Sequence, residues 1–307
     1  MNKIRSDILQ CIGNTSLLAL RHVVPANGSR ILLKLEGENP TGSMKDRTAL
    51  AVIEAAEADG RLTPDGFVVE YTTGSAGTSL ALVCAVKGYP LHLVTSDAFA
   101  REKREHMKFL GANLEVLPSE GGKMTEKLTR DMVAAARRIA EKPGSFWTDQ
   151  LNNTDQFTAY HKMAEEIWAQ TEGRIDGFVQ SVGTAASLRG TAEALRRHNS
   201  QIRIVAVEPA ESPVLSGGKT GAHKIDGMGA GFVVPLWQAD SADQIERVST
   251  DEAIAMVKRL AREEGLFAGT STGANVTAAL RLAEQLGPGA TIGAVMCDTG
   301  IKYLSKL

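Results

Sequence analysis

The sequence carries few of the features that would commit a chain of 307 residues to membranes, nucleic acid, metal or secretion. It has 3 cysteines, Cys11, Cys84 and Cys297, widely spaced, odd in number and without a CxxC pair. That pattern argues against a disulfide framework and against a structural zinc site, and it fits a reducing, cytoplasmic compartment. No apolar run approaches the roughly 18 residues of a membrane span, and "MNKIRSDILQ" lacks the continuous apolar core of a signal peptide. A soluble protein is expected. Cationic excess is missing too: 34 Lys and Arg against 36 Asp and Glu leave a formal charge of −2, and the basic residues in 101–108 alternate with Glu102 and Glu105 at helical spacing. Nucleic acid is therefore not an expected partner. The GxGxxG dinucleotide fingerprint, short repeats and low-complexity tracts are absent as well.

What remains is ordinary globular composition, 43% hydrophobic and 23% charged, in a chain long enough for two modest domains. Strand-like runs at 31–36, 67–71, 91–95, 113–118, 177–181, 202–208 and 291–296 alternate with helical spacing near 45–59, 76–87, 101–110, 124–141, 155–170, 187–197, 251–264 and 273–286. This alternation predicts an α/β fold with mostly parallel sheets. "KPGSFW" (142–147) breaks the pattern and is the expected crossing between domains. The glycine-rich stretch 209–235 is too long for a simple connector, and ordered loops of that length often line sites.

Four polar loops fall where strands give way to helices, the place where parallel sheets present ligand sites. In "NPTGSMKDR" (39–47), Pro40 and Gly42 mark a turn and Ser43 an N-cap, which puts Lys45 in the first turn of a helix. Unpaired N–H groups there disfavour an extra proton on its amine, and a partly deprotonated lysine suits imine chemistry. "TTGSAGT" (72–78) offers hydroxyls and helix-start N–H groups to a carboxylate-sized anion, and "SVGTAAS" (181–187) allows close backbone approach to a phosphate. "CDTGIKYL" (297–304) sets Thr299 at the end of the last strand, where its hydroxyl meets a ring nitrogen or caps a final helix. An amine, a carboxylate nest, a phosphate nest and a hydroxyl together suggest pyridoxal phosphate.

The strings "IGNTSLLAL" (12–20), "NPTGSMKDR" (39–47), "VAVEPAESPVLSGGKTGAHKIDGMGAGF" (205–232) and "CDTGIKYLS" (297–305) closely resemble the cysteine synthase family of pyridoxal-phosphate enzymes. The resemblance runs over essentially the whole chain. It implies a two-domain, three-layer αβα architecture of the tryptophan synthase β-subunit-like kind, fold type II. The smaller domain would comprise 1–16 and 39–150 and carry the substrate loop; the larger would comprise 17–38 and 151–307 and carry the phosphate loop.

Carried over residue by residue, the resemblance implies that Lys45 is the Schiff-base lysine and that Gly183, Thr184, Ala185, Ala186 and Ser187 hold the cofactor phosphate. Thr299 would meet the pyridine nitrogen. The loop Thr72, Thr73, Gly74, Ser75, Ala76 and Gly77 would close on the substrate carboxylate with help from Gln150, and Gly227, Met228 and Gly229 would border the substrate cavity. Ser75 stands where the family usually has the asparagine that bonds the cofactor's phenolic oxygen, and Ala76 lacks a threonine hydroxyl. At roughly 1.5–3 kcal/mol per charge-assisted hydrogen bond, such changes shift a substrate preference by one or two powers of ten. Cys297 reads as a buried small hydrophobe, and His161 and His223 receive no role. The implied reaction is β-replacement: an activated serine such as O-acetylserine loses its β-substituent through an aminoacrylate, and a nucleophile such as sulfide adds to give cysteine or a related amino acid. The neutral Thr299 hydroxyl, unlike a carboxylate, suits elimination at the β-carbon over transamination. The alternatives are a β-eliminating lyase of the cysteine desulfhydrase kind and a cofactor-bound scaffold, weak in turnover, that acts through a protein partner. The resemblance further implies a homodimer.

Overall fold

The computed structural model describes residues 4–122 and 125–305. In chain order they form β1 (Leu17–Ala19), β2 (Arg30–Leu35), α1 (Lys45–Asp59), β3 (Phe67–Tyr71), α2 (Ser75–Lys87), β4 (Leu91–Ser96), α3 (Arg101–Phe109), β5 (Asn113–Leu117), α4 (Glu126–Ala140), β6 (Ser145–Trp147), α5 (Gln156–Gln170), β7 (Gly177–Ser181), α6 (Ala186–His198), β8 (Arg203–Pro209), β9 (Gln244–Val248), α7 (Thr250–Glu263), α8 (Thr270–Leu286) and β10 (Thr291–Met296). Two sheets result, one in the order β1-β2-β10-β7-β8-β9 and one in the order β5-β4-β3-β6. Every pairing is parallel except that of β1 with β2.

The local chemistry explains these limits. β7 and β10 are buried at every position, as central parallel strands covered by helices on both faces must be. α1 and α2 stop at Gly60 (φ 79°) and Gly88 (φ 83°), where the left-handed conformation favours a residue without Cβ. α7 starts in a capping box of Ser249 and Glu252. The 142–147 segment, expected to break the pattern, contains β6. β1, β6 and β9 all lie at sheet edges, and three residues of β1 or β6 are too few for an alternating pattern to register in the sequence. α8 begins at Thr270, three residues ahead of the expected start, and the stretch 210–238 holds no helix or strand.

One apolar cluster joins the sheets, from Val69 and Val94 through Met132 of α4 and Tyr160 and Met163 of α5 to Phe178 and Ala206. A charged clamp beside it fixes the start of α1. Arg47 pairs with Glu36 and with Glu166 of α5, both at 2.7 Å, and Lys34 of β2, fully buried, reaches Glu166 at 2.7 Å. Burial works against the Glu166 charge, yet the hydrogen bonds and charges of Arg47 and Lys34 hold its carboxyl at about 2. The clamp sits two residues from Lys45, on the same helical turn. No helix among the described residues is long and apolar enough to cross a membrane.

Candidate active site

The segment between β2 and α1 is held by its own polar side chains. Asp46 accepts from the Thr41 backbone N–H (2.7 Å) and from the hydroxyls of Thr41 and Ser79, both at 2.5 Å. Gly42 adopts φ 76°, and a Cβ there would lie 2.4 Å from Thr299 Cγ2, so the turn requires glycine. Ser43 stands one residue short of the formal cap position. Its hydroxyl accepts from the Lys45 N–H at 3.2 Å and donates to Asp298. The Met44 N–H donates to the Cys297 carbonyl at 2.9 Å, which ties α1 to the end of β10.

Lys45 Nζ thereby reaches the Tyr160 hydroxyl of α5 at 3.4 Å. Burial disfavours its charge, but Tyr160, Cys297 and Asp298 outweigh burial, so the pKa lies above the ordinary lysine value. The sequence expectation had the opposite sign. The helix-start potential is outweighed chiefly by Tyr160 of α5, and further by Cys297 and Asp298, groups from segments distant in the chain.

Lys45 opens on a cavity, and the loops expected around it converge there. Thr73, Ser75, Ala76, Gln150, Gly183, Thr184, Gly227 and Met228 all line it. Thr72, Gly74, Gly77, Ala185, Ala186, Ser187 and Gly229 do not; they shape the loops from behind. The Thr72 hydroxyl accepts from the Gly74 and Gly77 N–H groups, each at 2.9 Å, and so curls the loop around itself. Ser75 donates to Asp298 at 2.6 Å. The Gln150 side chain donates to the Tyr71 carbonyl at 2.8 Å. Beneath it, buried Glu70 accepts from the Thr148 hydroxyl and, at 2.9 Å, from the Gln150 N–H, and burial pushes its carboxyl up to about 7.

The loop 182–185 has the shape of an anion cradle. Ala185 takes φ 70°, and α6 begins at the next residue, so the first-turn N–H groups from Ala186 onward have no partners within the helix. A Cβ on Gly183 would lie 2.5 Å from the Gly227 carbonyl, which leaves room for backbone alone. Pyridoxal phosphate fits this set of residues: a lysine amine on one wall, a backbone nest for a phosphate on another, and a cavity between them.

Of the two readings of Thr299, the structure has the cap: it precedes the short final helix at 300–303 and does not line the cavity. Its hydroxyl accepts from the Ile301 N–H, its methyl faces Gly42, and it borders a separate outer pocket. The preceding residue, Asp298, faces the cavity instead and accepts from Ser43, Ser75 and Tyr303. A buried hydroxyl on the wall belongs to Ser271, 3% exposed near the start of α8 and in hydrogen-bond contact with Cys297. Reading α8 as starting at Gly273 hid it. Tyr160 and Lys103 have no local sequence signal, whereas Asp298 lies within "CDTG", where successive side chains leaving β10 point to opposite sides and one of them must turn inward.

Over residues 8–298 the chain matches the family described as pyridoxal-phosphate dependent enzyme. A curated cysteine synthase of Staphylococcus aureus (strain Mu50 / ATCC 700699) is 39% identical over 302 residues, 97% of this chain and 95% of the relative. Among solved structures, a cysteine synthase from Entamoeba histolytica superposes with a TM-score of 0.90 at 35% identity, covering 99% of this chain and 90% of that one. An O-acetylserine dependent cystathionine β-synthase from Helicobacter pylori gives 0.92 at 32% identity, covering 100% and 99%.

Proposed function

This chain belongs to the pyridoxal-phosphate dependent enzymes, with the fold type II architecture of its structural neighbours, and from that premise we propose that it catalyses β-replacement on an activated serine such as O-acetylserine. The nucleophile is sulfide or a related small species, and the product cysteine or another β-substituted alanine. The observation that carries this reading is that one cavity gathers Lys45, Thr73, Ser75 and Ala76 of the loop, and the Gly183–Thr184 turn.

When bound, the cofactor supplies an electron sink that stabilises negative charge at the α-carbon and lets the β-substituent leave. Lys45 would hold it covalently, and Gly183, Thr184, Ala185, Ala186 and Ser187 its phosphate. In place of Thr299 we assign the ring nitrogen to the Ser271 hydroxyl, since Asp298 is already engaged by three hydroxyl groups. The loop 72–77 and Gln150 would bind the substrate carboxylate. The released Lys45 amine stands where it can take the α-proton and return it, and the buried wall of Met44, Phe99 and Leu151 limits water around it.

The division into 1–16 with 39–150 and 17–38 with 151–307 is supported by the sheets, because each segment's strands fall in one of them. Family resemblance supports a homodimer, and three free cysteines, two of them buried, support a cytoplasmic setting. The test is to supply the purified holoenzyme with O-acetylserine, with and without sulfide. Sulfide-dependent cysteine is the expected result. Pyruvate formed at equal rates in both, with no cysteine, would replace the reading with a β-eliminating lyase. No turnover of any amino acid would leave the scaffold reading.

A further inference from the structure

Lys103 is the group in this cavity that the reading above leaves unused. It sits in the first turn of α3, a helix whose alternating charges mark it as solvated, yet it is 4% exposed and stands between the cavity and the outer pocket, lining both. Its stem crosses the carboxylate loop: a Cβ on Gly74, which adopts φ 135°, would lie 2.2 Å from Lys103 Cδ. Its ammonium lies over the Tyr303 ring, 4.0 Å from the centroid. No described residue places a carboxylate or carbonyl oxygen in hydrogen-bond or ion-pair range of it. An ammonium whose stem is buried and whose head borders a cavity with no protein anion beside it can take its anion from the ligand.

The loop beside it is short of side-chain donors. Thr72 is turned inward as an acceptor, the Ser75 hydroxyl is committed to Asp298, and Ala76 offers a methyl group. Thr73 and backbone N–H groups remain. We propose that Lys103 is the cationic contact for the α-carboxylate of the amino-acid substrate, supplying from α3 the charge that the side chains of the 72–77 loop do not. The Lys103 stem passes over Gly74 while the Ser75 hydroxyl is tied to Asp298, so of the loop's side chains Thr73 alone is left to meet the carboxylate beside the cation. This assignment rests on the amino-acid reading of the site.

The experiment compares L-serine with L-serinamide, which lacks the carboxylate, by titrating the visible absorbance of the holoenzyme. Wild type should prefer the acid. Lys103→Met keeps the stem that packs on Gly74 and should weaken L-serine binding about ten- to hundredfold while leaving L-serinamide unchanged. Lys103→Arg should restore L-serine binding to within a few fold, and it carries the test if the Met variant does not fold, since an Arg variant that binds both compounds as weakly as each other would overturn the proposal. In the overall reaction, KM for O-acetylserine should rise with kcat nearly constant. A Met variant that keeps the wild-type preference for the acid overturns the Lys103 assignment alone. A wild-type holoenzyme with no response to any amino acid overturns the amino-acid reading and this assignment with it.

Discussion

Replacing Glu166 by Gln tests whether the clamp behind Lys45 is a structural keystone. Glu166 neutralises two cations, Lys34, which is fully buried, and Arg47, and it bonds Arg47 at 2.7 Å through both oxygens. Its carboxyl is held at about 2 against an ordinary 4.5, which corresponds to about 3 kcal/mol of stability at neutral pH. Removing one partner of a buried pair typically costs about 3–5 kcal/mol, and the two figures agree in size. Because the folded-state value is depressed, the contribution is fully present above pH 4.5 and is lost as pH falls through about 2. Urea unfolding of wild type and E166Q should therefore show a gap of about 3–5 kcal/mol at pH 7, undiminished at pH 5 and clearly narrower at pH 3. A gap under about 1 kcal/mol at pH 7, or one that stays constant between pH 5 and 3, refutes the argument.

Glu70 should behave in the opposite sense. Its folded-state carboxyl lies at about 7, above the ordinary 4.5, so the folded state keeps a proton that the unfolded chain has lost. Relative to Glu70→Gln, wild-type stability should fall by about 3 kcal/mol as pH rises from 4.5 to 7 and stay level beyond it; unfolding curves that run parallel at pH 5 and pH 8 would contradict this. Gly77→Ala places a methyl group 2.5 Å from Thr72 Cγ2 and 2.6 Å from Met107 Sδ. It should cost about 1–3 kcal/mol and raise KM for the activated serine while the bound cofactor's spectrum is unchanged, and an unaltered KM would show that the loop is not the substrate clamp.

The sequence was most informative where function depends on order along the chain. Lys45 at a helix start, the 72–77 loop and the 183–187 turn are each contiguous, and each follows a strand that an apolar run announces. It was least informative where one residue decides which way a side chain faces. Asp298 and Thr299 are neighbours leaving β10, and successive residues of an extended chain point to opposite sides. The bond from the Thr299 N–H to the Gly42 carbonyl and that from Gly300 to Phe267 fix which one turns inward, and both partners come from distant segments. Lys103 was hidden for a related reason: in a run of alternating charges, nothing local distinguishes the one lysine that the Gly74 loop and Tyr303 enclose. The short edge strands β1 and β6 lack the length for a pattern, and β9, "QIERV", is an edge strand with polar residues at three of its five positions.

The central claim is that Lys45 is the amine that binds the cofactor, and the cavity offers its own control because it contains a second lysine, Lys103. The purified holoenzyme should be reduced with borohydride, which fixes a lysine-bound pyridoxal group permanently, then digested and analysed by peptide mass spectrometry. The account predicts one pyridoxyl adduct, on Lys45. An adduct on Lys103 or any other lysine, or no adduct at all, would contradict it.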